Sequence, residues 1–176
     1  MIKNAMSLKA KIRNQARAMN MSAQVVLQNF MFERFLERVS KSDYKDFFVL
    51  KGGMLIASVI GIANRSTMDM DATIINYPVT DESITLAINE ICSINLDDGV
   101  KFKILGTENI RDDDSYGGFR VKINSVFDTI VTPMHIDVTT GDVMTPGKIE
   151  YGYEKEFSDG KINIFAYNIE TVLAKI

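Results

Sequence analysis

The segment MDMDATI, residues 68–74, restricts the fold more than any other part of the sequence. Its side chains alternate in polarity with a period of two, which is typical of a β-strand with one face against the core. In such a strand Asp69 and Asp71 point to one face, whereas Met70 and Ala72 point to the other. We therefore expect the methionine side to pack in the core and the two carboxylates to share an open surface.

Two carboxylates so close on one face repel each other unless a cation lies between them. A divalent ion would relieve the repulsion, and oxygen ligands without a nearby cysteine or histidine are typical of Mg²⁺ or Mn²⁺. A third carboxylate, Asp137 in MHIDVTTGD, is predicted on another strand, with Ile136 and Val138 directed to the core. Together with Asp69 and Asp71 it would complete a metal site. The alternative is a strand whose outer face is merely hydrated.

A pair of glycines, Gly52 and Gly53, lies between the apolar runs FFVL and MLIASVIGI. We predict a buried strand before the pair and a buried helix after it. Glycine backbone at the start of a helix can approach an anionic phosphate closely. Alone this signal is weak, because turns from strand to helix often contain glycine.

Three further polar residues are candidates for the same surface. By alternation Thr67 shares the face of Asp69, and Arg65 lies two residues earlier, so both can reach phosphate oxygens if the strand begins that early. A polar loop ahead of the strand is the alternative. His135, the single histidine, shares the face of Asp137 and is either structural or a proton carrier.

The first 45 residues are predicted to form two helices with Ser7 and Ser22 as N-caps. Apolar residues of the second helix recur every three to four positions, which favours core packing, with a partner-binding groove as the alternative. The first twenty residues carry five basic and no acidic side chains, suited either to a solvated helix face or to contact with phosphate groups.

The length of 176 residues and the hydrophobic fraction of 46% fit one globular domain with its own core. We predict an α+β fold, a mixed β-sheet flanked by helices, with residues 1–45 as an N-terminal helical pair packed on a core of residues 46–176. There is no apolar run of about 18 residues and no signal-peptide pattern, so we expect a cytoplasmic protein without a membrane partner.

Four blocks of the chain, in order, resemble the AbiEii/AbiGii toxin family of the nucleotidyltransferase superfamily. They are FVLKGGMLIA, NRSTMDMDATI, IDVTTGD and YNIETVLAKI. The likeness extends from about Ser22 to the end of the chain. It implies a nucleotidyltransferase-like sheet and metal-dependent transfer of a nucleoside monophosphate from a nucleoside triphosphate to an acceptor such as tRNA. It also implies a toxin-antitoxin or abortive-infection system, with a cognate antitoxin encoded nearby.

The resemblance also assigns roles to individual residues. It implies that Gly52 and Gly53 hold the triphosphate, with Lys51 beside them. Asp69 and Asp71 would bind the Mg²⁺ or Mn²⁺ ions that bridge the phosphates. Asp137 would complete the metal site and help to deprotonate the attacking hydroxyl.

Lys175 lies where the family carries a further nucleotide-binding lysine, but the aspartate that follows in the family is absent here. We therefore expect the helical C-terminal half of the family to be missing and the flank it would cover to be apolar. Two other functions remain open: a catalytically incomplete nucleotide-binding or interaction module, and a small-molecule nucleotidyltransferase that modifies antibiotics.

Overall fold

The computed structural model describes residues 2–60, 69–110, 117–140, 147–168 and 170. The helices are α1 (Ala5–Met19), α2 (Ala23–Ser40), α3 (Gly52–Ile60) and α4 (Asp81–Cys92). The strands are β1 (Phe48–Lys51), β2 (Asp69–Ile74), β3 (Val100–Ile110), β4 (Gly118–Phe127), β5 (Ile130–Thr139), β6 (Ile149–Glu154) and β7 (Lys161–Ala166). All of these strands join one mixed sheet, so the predicted α+β class is confirmed.

The strand order across the sheet is β3-β4-β5-β2-β1-β7-β6. Strand β2 runs parallel to β5, and β1 runs parallel to β7, while the other neighbouring pairs are antiparallel. The strands that contain the two predicted acidic segments, β2 and β5, are therefore adjacent and point the same way. Residues level with each other on these strands project to the same face.

One face of the sheet forms the core. Met70 and Ala72 of β2 and Ile136 and Val138 of β5 are fully buried, as the alternation predicted. Helix α2 covers this face, where the ring of Phe35 packs against the rings of Phe48 and Phe102. The apolar stripe of α2 is core, because its central members are all buried: Met31, Phe32, Phe35, Leu36 and Val39.

Helix α2 is tied to the sheet by a buried arginine. The guanidinium of Arg38 forms a bidentate pair with Asp98, at 2.9 and 2.8 Å, and donates to the carbonyl oxygens of Arg34, Ile94 and Val100. All five N–H donors of the guanidinium are therefore used. Burial acts to raise the pKa of Asp98, but the hydrogen bonds from Arg38 lower it overall. The pair anchors the connection from α4 to β3 against α2.

The start of α1 differs from the prediction. The helix begins at Ala5 with Asn4 as its N-cap, and Ser7 is the third helical residue. The Asn4 side chain accepts from the Ser7 amide while the Ser7 hydroxyl accepts from the Asn4 amide, which is a reciprocal capping arrangement. A serine that favours the first turn was thus mistaken for the cap. The predicted cap Ser22 is confirmed, since it accepts from the Val25 amide.

The basic N-terminal segment is amphipathic. Leu8, Ile12 and Ala16 of α1 are buried, whereas four of the five basic residues are exposed: Lys3, Lys9, Arg13 and Arg17. The exposed lysines and arginines lie opposite the apolar stripe, and their contact with phosphate groups stays a prediction.

Strands β6 and β7 were not predicted from the sequence. In β7 the buried residues Ile162, Ile164 and Ala166 alternate with more exposed ones, so the signal of period two was present. The division at residue 45 stays a prediction. Within the described ranges, no helix combines the length and the apolar character that a membrane crossing requires.

Candidate active site

Four charged residues form one row across the sheet, on the face opposite the core. Asp71 of β2 lies level with Asp137 of β5. Lys51 of β1 lies beside Asp71 on one side, and Arg120 of β4 lies beside Asp137 on the other. Two carboxylates in the middle of the row are thus flanked by one cation at each end. The structure brings the two predicted acidic segments together on neighbouring strands.

Arg120 makes the strongest contacts in this row. Its Nε donates to Oδ1 of Asp137 at 2.9 Å and its Nη2 donates to Oδ2 at 3.0 Å. The same Nη2 lies 3.7 Å from Oδ2 of Asp69. Such bidentate charge-assisted pairs are stronger than neutral hydrogen bonds. Arg120 therefore bridges two of the three predicted metal ligands.

Arg120 was not singled out by the sequence analysis, although a signal was present. In GGFRVKINSVF the basic residues Arg120 and Lys122 alternate with the buried residues Val121 and Ile123. This pattern indicates two cations on the open face of a strand. It does not indicate which neighbouring strand they meet, and the Asp137 contact depends on that.

The pKa of Asp71 reflects its burial first and the nearby negative charge second. Burial raises it to about 6, and the nearby charge of Asp137 and, to a lesser extent, of Asp69 adds to the increase. Lys51 and Arg120 act in the opposite direction. Proximity to like charges disfavours ionisation of a carboxyl group. Part of the increase in the pKa of Asp71 therefore results from the closeness of Asp137 and Asp69.

The first turn of α3 lies directly against this carboxylate. Gly52 has φ +73°, a left-handed conformation that side chains disfavour. A Cβ built on Gly52 would lie 2.9 Å from Cβ of Asp71, too close for two carbon atoms. Glycine is therefore required at position 52 for two reasons: the left-handed conformation of the backbone and the closeness of the Asp71 side chain. Gly53 follows as the second residue of α3, so the helix N-terminus is next to the acidic row.

Lys51 is positioned by residues outside the predicted set. Its Nζ donates to the hydroxyl of Thr139 and lies 5.9 Å from the ring centre of Tyr167. The Tyr167 hydroxyl is in turn 2.9 Å from Oγ1 of Thr73. The lysine ammonium group is thereby held near the glycine turn. Sequence reasoning missed Thr139 and Tyr167, because these contacts join four separate strands or loops.

Asp69 and His135 face each other two residues before Asp71 and Asp137, on the same face of the sheet. They are level on β2 and β5, with His135 Nδ1 3.3 Å from Oδ1 of Asp69. Both border a pocket of about 290 Å³ that is also lined by Gln24, Gln28, Pro133 and Met134. The predicted sharing of one face by His135 and Asp137 follows from their positions two residues apart on β5.

The donor chemistry of the site fits Mg²⁺ or Mn²⁺, because Asp69, Asp71 and Asp137 offer carboxylate oxygens on one face. Within the described part of the chain, no three histidine, cysteine, aspartate or glutamate side chains are grouped so as to enclose a metal ion. Arg120 holds both oxygens of Asp137 and supplies positive charge where a metal ion would. Coordination by Asp137 would therefore require its release from Arg120.

Three predicted site residues, Arg65, Thr67 and Lys175, lie outside the described residues. The other members of the predicted set lie together where the end of β1 and the start of β2 are level with residues 135–137 of β5: Lys51, Gly52, Gly53, Asp69, Asp71 and Asp137.

The described part of the site thus contains a glycine turn that opens a helix, two alternate aspartates on one strand and a third aspartate on the neighbouring strand. Two solved structures have a similar fold. One is assigned as a nucleotidyltransferase from H. pylori, with TM-score 0.50, 15% identity, and coverage of 88% of this chain and 58% of that chain. The other is JHP933 from Helicobacter pylori, with TM-score 0.50, 16% identity, and coverage of 88% and 56%.

The family model described as nucleotidyl transferase AbiEii toxin, type IV TA system, matches residues 34–175. The chain belongs to this family. Among proteins with curated descriptions, none matches the sequence. The chain spans less than two thirds of the length of both solved structures.

Proposed function

We propose that this chain contains the catalytic centre of a nucleotidyltransferase toxin that transfers a nucleoside monophosphate from a nucleoside triphosphate to an acceptor hydroxyl, with tRNA as the acceptor. The family membership supports the class of reaction and the toxin-antitoxin context. The observation that carries the proposal is the level pairing of Asp71 with Asp137 on parallel strands, beside the glycine-opened helix α3.

The residues of the site divide into three roles. Asp69, Asp71 and Asp137 would hold a divalent cation, and Asp137 would also help to deprotonate the attacking hydroxyl. Bound Mg²⁺ or Mn²⁺ would supply neutralisation of the charge on the phosphoryl group and the leaving pyrophosphate.

The backbone N–H groups of Gly52 and Gly53, with the Lys51 ammonium group at their side, bind the triphosphate. Arg65, Thr67 and Lys175 are proposed as further phosphate contacts.

The test is transfer of label from each of the four ribonucleoside triphosphates to total tRNA in the presence of Mg²⁺. Asp71→Asn and Asp137→Asn should each lower transfer by about a hundredfold or more, in line with the loss of one group from a charge-stabilising catalytic site. Asp159→Asn is the matched control, because Asp159 is exposed in the β6–β7 hairpin. Absence of label in RNA, or label that persists in Asp71→Asn, would contradict the proposal.

A second candidate function is nucleotide binding without turnover. It is favoured by the pair of hydrogen bonds from Arg120 to Asp137, which occupy both oxygens of a proposed metal ligand. Calorimetry that detects triphosphate binding with Mg²⁺, together with zero transfer at high protein concentration, would select this function. Transfer to a hydroxylated antibiotic and not to RNA would instead select a small-molecule acceptor.

A further inference from the structure

Arg120 is at one end of the row of four charged residues. Its hydrogen bonds to Asp137 conflict with the role proposed for Asp137 as a metal ligand. Asp137 offers two carboxylate oxygens, and Arg120 takes both of them at 2.9 and 3.0 Å. The guanidinium also reaches to within 3.7 Å of Asp69. It therefore lies between two of the three carboxylates proposed to hold the metal ion.

This placement is specific to Arg120 among the cations of β4. Lys122 lies on the same face two residues further along, level with His135. Its Nζ pairs with Glu108 of β3 at 3.3 Å, away from the acidic row. The two cations are similarly accessible, with side-chain exposures of 34% for Arg120 and 45% for Lys122. The difference is that Arg120 is level with Asp137 and carries a fork that matches a carboxylate.

We propose that Arg120 is a built-in counter-cation that holds Asp137 and Asp69 when substrate is absent and moves to a phosphate oxygen of the nucleoside triphosphate when substrate binds. The inference rests on the proposed function, since it concerns the same site. It assigns Arg120 two alternative partners, a carboxylate and a phosphate. The planar guanidinium can donate a pair of parallel hydrogen bonds to either of them.

The charges of the site favour such an exchange. Among the described residues, the permanent cations beside the three carboxylates are Lys51 and Arg120, one fewer than the carboxylates. A divalent cation that joins the carboxylates competes with Arg120 for the oxygens of Asp137. A triphosphate that arrives with the cation supplies new anionic oxygens for the guanidinium. Because the Arg120 side chain is one-third exposed, it can turn without disturbing the core.

The release of Asp137 and the move to phosphate predict that one substitution of Arg120 has opposite effects on two affinities, for the metal ion and for the triphosphate. Removal of the Arg120 charge frees Asp137 for the metal ion but takes one donor from the triphosphate. Arg120→Gln should therefore bind Mn²⁺ alone about tenfold more tightly than the wild type, the scale expected when one unit charge is removed from beside a partly exposed divalent-ion site. At saturating Mn²⁺ it should bind triphosphate about tenfold more weakly, since one charge-assisted contact is lost.

The experiment measures Mn²⁺ binding by electron paramagnetic resonance and then titrates ATP, GTP, CTP and UTP separately by calorimetry, without an acceptor. Lys122→Gln is the matched control and should change each affinity by less than about twofold, because an exposed ion pair contributes little. Arg120→Lys keeps the charge without the fork and should lie between the wild type and Arg120→Gln. It also serves if Arg120→Gln fails to fold, which thermal melting would show.

Each outcome decides between the proposals. Mn²⁺ affinity that is unchanged or lower in both Arg120 variants would overturn the role of Arg120 and leave the proposed function standing, provided that the wild type binds Mn²⁺ and a triphosphate. Tighter Mn²⁺ binding without weaker triphosphate binding would overturn the transfer of Arg120 to phosphate. If the wild type binds neither Mn²⁺ nor any of the four triphosphates, both proposals fail.

Discussion

Asp71 and Asp137 lie level with each other on adjacent parallel strands, with Lys51 and Arg120 at the two ends of the row that they form. Two like charges at the distance of neighbouring strands repel each other, and burial of Asp71 makes the repulsion costly. The chain meets this cost with one cation on each flank. The row is therefore an electrostatic unit whose members should respond to substitution together.

The first prediction concerns Asp71 and pH. Its pKa is about 6 in the folded protein, above the ordinary value of 3.8, so the folded state binds more protons than the unfolded state between these values. The contribution of Asp71 to stability should therefore fall as pH rises through this window. In chelator at about pH 7, Asp71→Asn should raise the free energy of unfolding by about 1–3 kcal/mol, and the gain should vanish near pH 4. Urea denaturation at both pH values measures it, and a gain equal at both would contradict the assignment.

The second prediction concerns Lys51, whose charge lowers the pKa of Asp71. Lys51→Met should raise that pKa further above 6, because one of the two opposing cations is lost. A titration of the Asp71 carboxyl carbon by NMR measures the change. Lys101→Met is the control, since Lys101 is exposed on the edge strand β3. An Asp71 pKa that is equal in Lys51→Met and the wild type would show that the lysine charge does not reach the carboxylate.

The third prediction concerns the contact between Gly52 and Asp71. Gly52→Ala should lower the free energy of unfolding by about 2–4 kcal/mol, from the left-handed conformation and the overlap with Asp71. In an Asp71→Gly background the overlap disappears. The loss in the free energy of unfolding caused by Gly52→Ala should therefore be smaller there than in the wild type, by about 1 kcal/mol or more. Gly160→Ala also falls at a positive φ, but a Cβ there meets nothing within 4 Å. Its cost should be the same in both backgrounds, and coupling there would point to a nonspecific effect.

The fourth prediction concerns the buried pair of Arg38 and Asp98. Arg38→Met should lower the free energy of unfolding by about 3–5 kcal/mol, because it removes every hydrogen bond of a buried guanidinium and takes the bidentate partner from the partly buried Asp98. Addition of Asp98→Asn should recover part of the loss. Arg13→Met, at an exposed position of α1, should change stability by less than about 0.5 kcal/mol. An Arg38→Met protein as stable as the Arg13→Met control would show that the pair does not anchor α2.

The alternation in residues 68–74 was enough to predict which side of β2 is buried. Met70 and Ala72 are in the core, and Asp69 and Asp71 lie on the other face, because successive side chains of any strand point to opposite sides. The same rule placed Asp137 opposite the buried Ile136 and Val138. The glycine pair was correctly read as a turn from strand to helix.

The partners of these residues could not be predicted in the same way. Arg120 meets Asp137 because β4 pairs with β5 in one particular register, and a shift of one residue would direct Arg120 into the core. Tyr167 lies near Lys51 because the chain returns beside β1 after β7. Neither relation leaves a pattern in a short stretch of sequence.

The sequence by itself determined the directions of the side chains, the turn at Gly52 and the family, since these follow from local periodicity, from backbone freedom and from the order of short blocks along the chain. Only the tertiary structure decided that β2 and β5 are neighbours and that Arg120 and Lys51 flank the acidic pair. The physical reason is that strand order and register result from packing of the whole core, to which residues distant in sequence contribute together.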